Sequence, residues 1–154
     1  MKHHQYFAID SIEVVIASST NMRKIENGSF DFAFANNFFE HFNKEEIVKT
    51  IREVHRVLKG VGRFLILQPN IRFWFKDYWM FIEQITPLDD RNLTEVLEVK
   101  GFNVVECKLR FLLYATKSKL PKSIISLKLY LKFPAVHRIL GKQAFVCVIM
   151  VMEK

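Results

Sequence analysis

Residues 30–70, FDFAFANNFFEHFNKEEIVKTIREVHRVLKGVGRFLILQPN, decide the fold. Residues 30–35 are a short apolar run bounded by polar residues, which predicts a buried strand rather than a core helix. Asn43 stands three residues before Glu46, the spacing of a capping box, with Phe42 and Ile47 placed to close a hydrophobic staple across it. Ile47, Ile51, Val54 and Leu58 then recur at helical steps and mark one apolar face. Gly60 is the expected helix-ending residue, able to take positive φ. Residues 63–68 are a second apolar strand, closed by Pro69. Short turns on both sides of the helix make the two strands parallel, with the helix crossing one face of a sheet.

Working outward, a chain of 154 residues is one domain by length, and half of its residues are hydrophobic, which argues against disorder. The longest apolar run, 145–152, is of strand length and falls short of the roughly 18 residues that cross a bilayer. No apolar leader follows Met1, so a cytoplasmic location is expected, with room for peripheral contact at a membrane. Cys107 and Cys147 lie in apolar strand-like runs and are expected to be buried, reduced thiols; no metal site is expected. The net charge of +7 is concentrated: from Cys107 to Met152 there is no Asp or Glu, while Lys and Arg recur from Lys108 to Lys142. Such asymmetry points to an anionic neighbour: a phosphate-bearing substrate, a membrane surface or nucleic acid. Nucleic acid is the weakest of these, because the basic residues are not interleaved with aromatics in a reader pattern.

The flanking segments carry weaker signals. Residues 11–17 include Ile12, Val14, Val15 and Ile16 and predict another strand, followed by a polar, basic loop to Asn27-Gly28. After Asn70, Trp74, Tyr78 and Phe81 fall at helical steps, as do Phe75, Trp79 and Ile82, which predicts an aromatic lid packed on the core. Asp89 caps a helix whose buried face is Leu93, Val96 and Leu97, and Gly101 ends it. Residues 103–113 and 143–153 read as strands. Residues 116–142 read as a basic helical insertion with a broad apolar face, either half buried with snorkelling lysines or resting on anionic lipid.

The mid-sequence unit resembles the second half of a class I S-adenosylmethionine-dependent methyltransferase domain of the type 11 kind. The matching residues are Ser29-Phe30-Asp31, the Glu40-His41 pair, Arg56-Val57-Leu58-Lys59, the Gly60-Val61-Gly62 turn and Pro69-Asn70. Val61 departs from the glycine usual at the turn. The resemblance implies an α/β, truncated Rossmann-like sheet made of the family's strands three to seven, mostly parallel with an antiparallel last strand. On that reading residues 1–154 are a single partial methyltransferase domain. The family's glycine-rich turn and acidic residue after the second strand have no counterpart before Gly60. Ser18, Ser19 and Thr20 stand where the family has an acidic residue facing adenine.

By resemblance the cofactor is S-adenosylmethionine, with Ser18, Ser19, Asn36, Asn37 and Phe38 along it. His41 is the candidate base, with Glu40 beside it at the mouth of the site, and Arg72 and Tyr78 are candidate contacts to an acidic substrate. Methyl transfer to a small-molecule, sugar or lipid-linked acceptor is the implied activity. The alternative is a non-catalytic remnant or binding module acting through its basic C-terminal surface. Without the family's first two strands, residues 13–17 must pair beside 30–35 or with another chain. The implied partners are therefore a second copy or a protein supplying the missing strands, and an anionic membrane surface.

Overall fold

A computed structural model describes residues 13–79, 81–109 and 145–152. Strand β1 (Phe30–Asn36) and strand β2 (Leu58–Pro69) pair in parallel, Ala33 opposite Phe64 and Ala35 opposite Ile66, joined by helix α1 (Lys44–Val57). This is the crossover predicted from residues 30–70. The Asn43 side chain accepts from the Glu46 amide and Glu46 returns the bond, so two amides that a helix start leaves unpaired are satisfied. The face predicted for α1 is the buried one: Ile47, Ile51, Val54 and Leu58 all join the core.

Gly60 does not end the helix. Leu58 is already extended and begins β2, and Gly60 lies within the strand. The turn is absorbed by an irregularity: Phe30 pairs with Leu58, but Phe32 pairs with Arg63. Gly62 is the glycine that this tight return requires, since a Cβ there would meet the Lys59 carbonyl at 2.9 Å and the Leu58 side chain at 3.1–3.2 Å.

Helix α2 (Ile71–Tyr78) and helix α3 (Asp90–Val99) follow, then strand β3 (Phe102–Lys108) and strand β4 (Phe145–Met152). Asp89 caps α3 in a second capping box with Asn92, and Leu93 and Leu97 are fully buried. Gly101 takes φ +89°, and a Cβ on it would approach His55 Nε2 at 3.0 Å, so both conformation and space select glycine. The sheet order is β1-β2-β4-β3. β4 lies between β2 and β3 and is antiparallel to both, so β1, β2 and β3 share one direction.

On one face of the sheet Phe64 and Ile66 pack with Ala33, Ala35, α1 and α3 around Phe39, Leu88 and Phe102. Side chains alternate along a strand, so Phe30, Phe32 and Phe34 point the other way and are 45–56% exposed.

Several expectations are corrected. Residues 13–17 form no strand and do not pair with β1; Val14 and Ile16 are 82% and 86% exposed. Residues 22–28 are tied to α1 by Arg56, through bonds to the Met22 and Ile25 carbonyls. Of the described lid side chains Tyr78 is packed, while Phe75, Trp79, Phe81 and Ile82 stay exposed. Cys107 is exposed, since a bulge between Val104 and Glu106 breaks the alternation of β3. The predicted insertion at 116–142, residues 1–12 and the end of the 103–113 strand lie outside the described residues.

Candidate functional site

The C-terminal ends of β1 and β2 meet where a parallel sheet presents its loops. Asn37 continues the ladder one bond past β1, its amide donating to the Leu67 carbonyl at 3.0 Å. Its φ is +47°, the left-handed region that asparagine tolerates better than other non-glycine residues. This sharp bend turns the chain into a short 3-10 turn, Phe39–His41.

Phe39 anchors that turn in the core, and Glu40 is 2% exposed. Gln68, on the same inward face as Phe64 and Ile66, spans the two: its Nε2 donates to Glu40 Oε2 at 2.5 Å, and its Oε1 accepts from the Phe39 amide at 3.3 Å. The Glu40 carbonyl accepts from the amides of Ile85 and Thr86. His41 Nδ1 lies 2.9 Å from the Glu83 carbonyl, and its Nε2 is 3.7 Å from Glu40 Oε1. Glu40 is thus a structural tie, and His41 the more accessible of the pair.

Between this end of β1, α1 and the loop near Ser19 lies an open, mostly apolar cavity of about 500 Å³. Asn36, Phe38, Ser19, Met22, Ile25 and Thr50 are among its lining residues. Ser19 Oγ is within 3.2 Å of Thr50 Oγ1, which fixes the loop against α1. Of the five cofactor candidates the structure brings Ser19, Asn36 and Phe38 to this cavity. Ser18 is turned to Thr20, and Asn37 acts through its backbone bend.

Residues 2–66 match the family model described as a methyltransferase domain. The fold is that of S-adenosylmethionine-dependent methyltransferases. A solved methyltransferase from Archaeoglobus fulgidus is 16% identical, with TM-score 0.63 over 90% of this chain and 66% of that one. A Haloferax volcanii putative methyltransferase, solved with the Trm112 methyltransferase activator, is 15% identical, TM-score 0.63, over 91% of this chain and 61% of that one. Geranyl diphosphate C-methyltransferase from Streptomyces coelicolor, solved with Mg2+, geranyl diphosphate and S-adenosyl-L-homocysteine, is 14% identical, TM-score 0.58, over 90% and 53%. Likeness at these identities shows a shared fold. The chain spans 66% or less of the length of these structures. A search of curated proteins finds no match.

In this chain the two substrate candidates are engaged internally. Tyr78 is fully buried, and its hydroxyl donates to the Thr86 carbonyl at 2.8 Å. Burial, with the charge of Glu40 adding to it, pushes the phenol up to about 12. Such a group holds α2 to the loop before α3 and offers nothing to a substrate. Arg72 Nη1 donates to both Asp90 oxygens at 2.7 Å, and Asn70 Nδ2 donates to the same carboxylate.

Burial raises the Asp90 carboxyl, but the bonds from Asn70 and Arg72 outweigh it and hold the group below its ordinary value. A depressed folded-state pKa contributes stability that is present above the unfolded carboxylate pKa of about 3.9 and lost as pH falls through the folded value. Asp90→Asn is therefore expected to lower the urea midpoint at pH 7 and to flatten its fall below about pH 4. A parallel acid limb in the variant and the parent would show that Asp90 is not the titrating group.

Sequence reasoning missed Gln68 and the Glu53–Arg56 clamp. Gln68 had a signal: in FLILQP it is the one polar residue at the parity of Phe64 and Ile66, so it enters the core with its amide needing partners.

Proposed function

We propose that the chain builds the back wall of an S-adenosylmethionine site and serves methyl transfer. The carrying observation is the cavity at the end of β1, where Asn36, Phe38 and Ser19 converge beside the bend at Asn37. On this reading β1, β2, β4 and β3 are the family's fourth, fifth, seventh and sixth strands. The lining fits the cofactor in part: apolar walls from Met22, Ile25 and Phe38 suit adenine and the methionine stem, and Asn36 and Ser19 offer polar contacts. No carboxylate lines the cavity among the described residues, so the ribose hydroxyls would need a wall contributed from outside them.

The cofactor would supply an already activated methyl group, and this chain's residues would orient it and exclude water. His41, 36% exposed beside the Glu40 tie, would be the base that takes a proton from an oxygen or nitrogen acceptor. The acceptor would be a small molecule, a sugar or a lipid-linked group. The open edge of β1 and its exposed phenylalanines favour a strand-donating partner, either a second copy or another protein. The activator bound to the Haloferax relative offers a precedent for assistance by a partner.

Calorimetric titration with S-adenosylmethionine and with S-adenosylhomocysteine tests this reading. Binding weaker than about 1 µM is expected for a half-built pocket, and Asn36→Ala should weaken it on the order of tenfold. No heat at millimolar cofactor would leave a non-catalytic binding module, the reading also favoured by the missing carboxylate.

A further inference from the structure

β1 ends the sheet, and one of its long sides has no strand beside it among the described residues. The Asn37 amide points towards β2, donating to the Leu67 carbonyl. Backbone groups alternate in direction along a strand, so those of Ala33 and Ala35 face β2, while those of Phe30, Phe32, Phe34 and Asn36 face the open side. A row of unpaired amides and carbonyls at this spacing is a template for another strand. None of the residues presenting them is charged or a proline, two of the usual devices that keep edge strands apart.

The side chains select which strand fits. Phe30, Phe32 and Phe34 stand on the sheet face away from α1 and are 45%, 53% and 56% exposed. Consider β1 paired antiparallel with β1 of a second copy, about a two-fold axis through Ala33. Phe32 then lies opposite Phe34 of the second copy, and Phe30 opposite its Asn36, with the reverse pairs completing the ladder. Each outward backbone group meets its counterpart, and the rings of both copies form one cross-strand cluster on a single face. Charge permits this register. Asp31 is the only ionised side chain of β1, Lys59 holds both of its oxygens at 2.8 Å, and its cross-strand neighbour is Ala35, so like charges do not meet. The half-exposed rings of two copies withdraw roughly 600 Å² from water beside the paired backbones, the scale of a weak and reversible interface.

We propose that the chain forms a two-fold dimer through the open side of β1, joining two four-stranded sheets into one. The dimer does not depend on cofactor binding, so its test is separate from the calorimetry.

Sedimentation equilibrium of the full 154-residue chain should show a monomer–dimer exchange with a dissociation constant on the order of 10 µM. Phe34→Pro removes an amide that faces the open side and leaves the β1–β2 ladder its donors. It should raise that constant at least about tenfold while the far-ultraviolet circular dichroism stays that of the parent. A third measurement fixes the register. On the two-fold axis the Ala33 backbones face away from each other, a pairing that brings Cα atoms to about 4.5 Å, within disulfide reach. In a Cys107→Ala, Cys147→Ala background, Ala33→Cys should therefore give a covalent dimer under mild oxidation. A parent that stays monomeric at about 200 µM would overturn the proposal and leave the edge to a different strand. Phe34→Pro dimerising like the parent, or Ala33→Cys giving no covalent dimer, would overturn it equally.

Discussion

Phe39→Ala is expected to remove about 3–5 kcal/mol of stability, the cost of emptying a fully packed aromatic site. Phe39 has no exposed surface, and its ring contacts Phe38 at 5.5 Å and Phe64 at 6.2 Å between centroids. It is the apolar anchor of a three-residue 3-10 turn that has no side-chain cap of its own. A single domain has a net stability of about 5–15 kcal/mol, so the loss is a large fraction of the whole. The damage should also spread. Once the turn unseats, Gln68 loses the Phe39 amide, Glu40 shifts, and the 85–86 amides lose their acceptor. Urea unfolding measures this: the midpoint should fall sharply for Phe39→Ala and much less for Phe39→Leu, which keeps most of the volume. Equal midpoints for the parent and Phe39→Ala would mean that the turn is held by something other than its ring.

The crossover unit was legible because three independent signals agreed over residues 30–70: a capping box, a helical apolar face, and two apolar runs of strand length. Helix α3 was legible for the same reason, with Asp89, Leu93, Leu97 and Gly101 each marking a local physical need. What failed were the places where local pattern met a tertiary constraint. Gly60 looked like a helix stop, yet the tight return to the sheet placed the steric demand two residues later, at Gly62. Val14 to Ile16 looked like a strand, but a strand needs a neighbour, and Val14 and Ile16 are exposed with no strand partner among the described residues. Tyr78 looked like a substrate contact because its ring carries a polar handle; its depth in the fold turns that handle inward. That Ser19, Asn36 and Phe38 line one cavity was suggested only by the family pattern, since no spacing rule brings residue 19 beside residue 36.

Arg56→Lys is expected to free the 22–28 loop while leaving α1 intact. The Arg56 guanidinium serves five contacts: Nη1 donates to the Ile25 carbonyl and Asn27 Oδ1, Nη2 to the Met22 carbonyl and Glu53 Oε2, and Nε to Glu53 Oε1. Glu53 in turn accepts from the Met22 amide at 2.6 Å. The hydrogen bond between the two side chains holds Glu53 below its ordinary value and raises Arg56 above its own, so the pair stays ionised at neutral pH. An ammonium has a single nitrogen and cannot reach acceptors spread along three planar directions. Lysine is as good a helix former as arginine, so the helix itself should persist. Arg23 and Lys24 lie inside the released loop, and trypsin should cleave there on the order of tenfold faster, because losing even one charge-assisted bond shifts the opening equilibrium by about that factor. Met22 and Ile25 line the cavity, so cofactor heat should fall in the same variant even where far-ultraviolet circular dichroism is unchanged. If the loop resists trypsin as the parent does, the clamp is not what holds this wall, and the cavity's shape must be set from the β1 side alone.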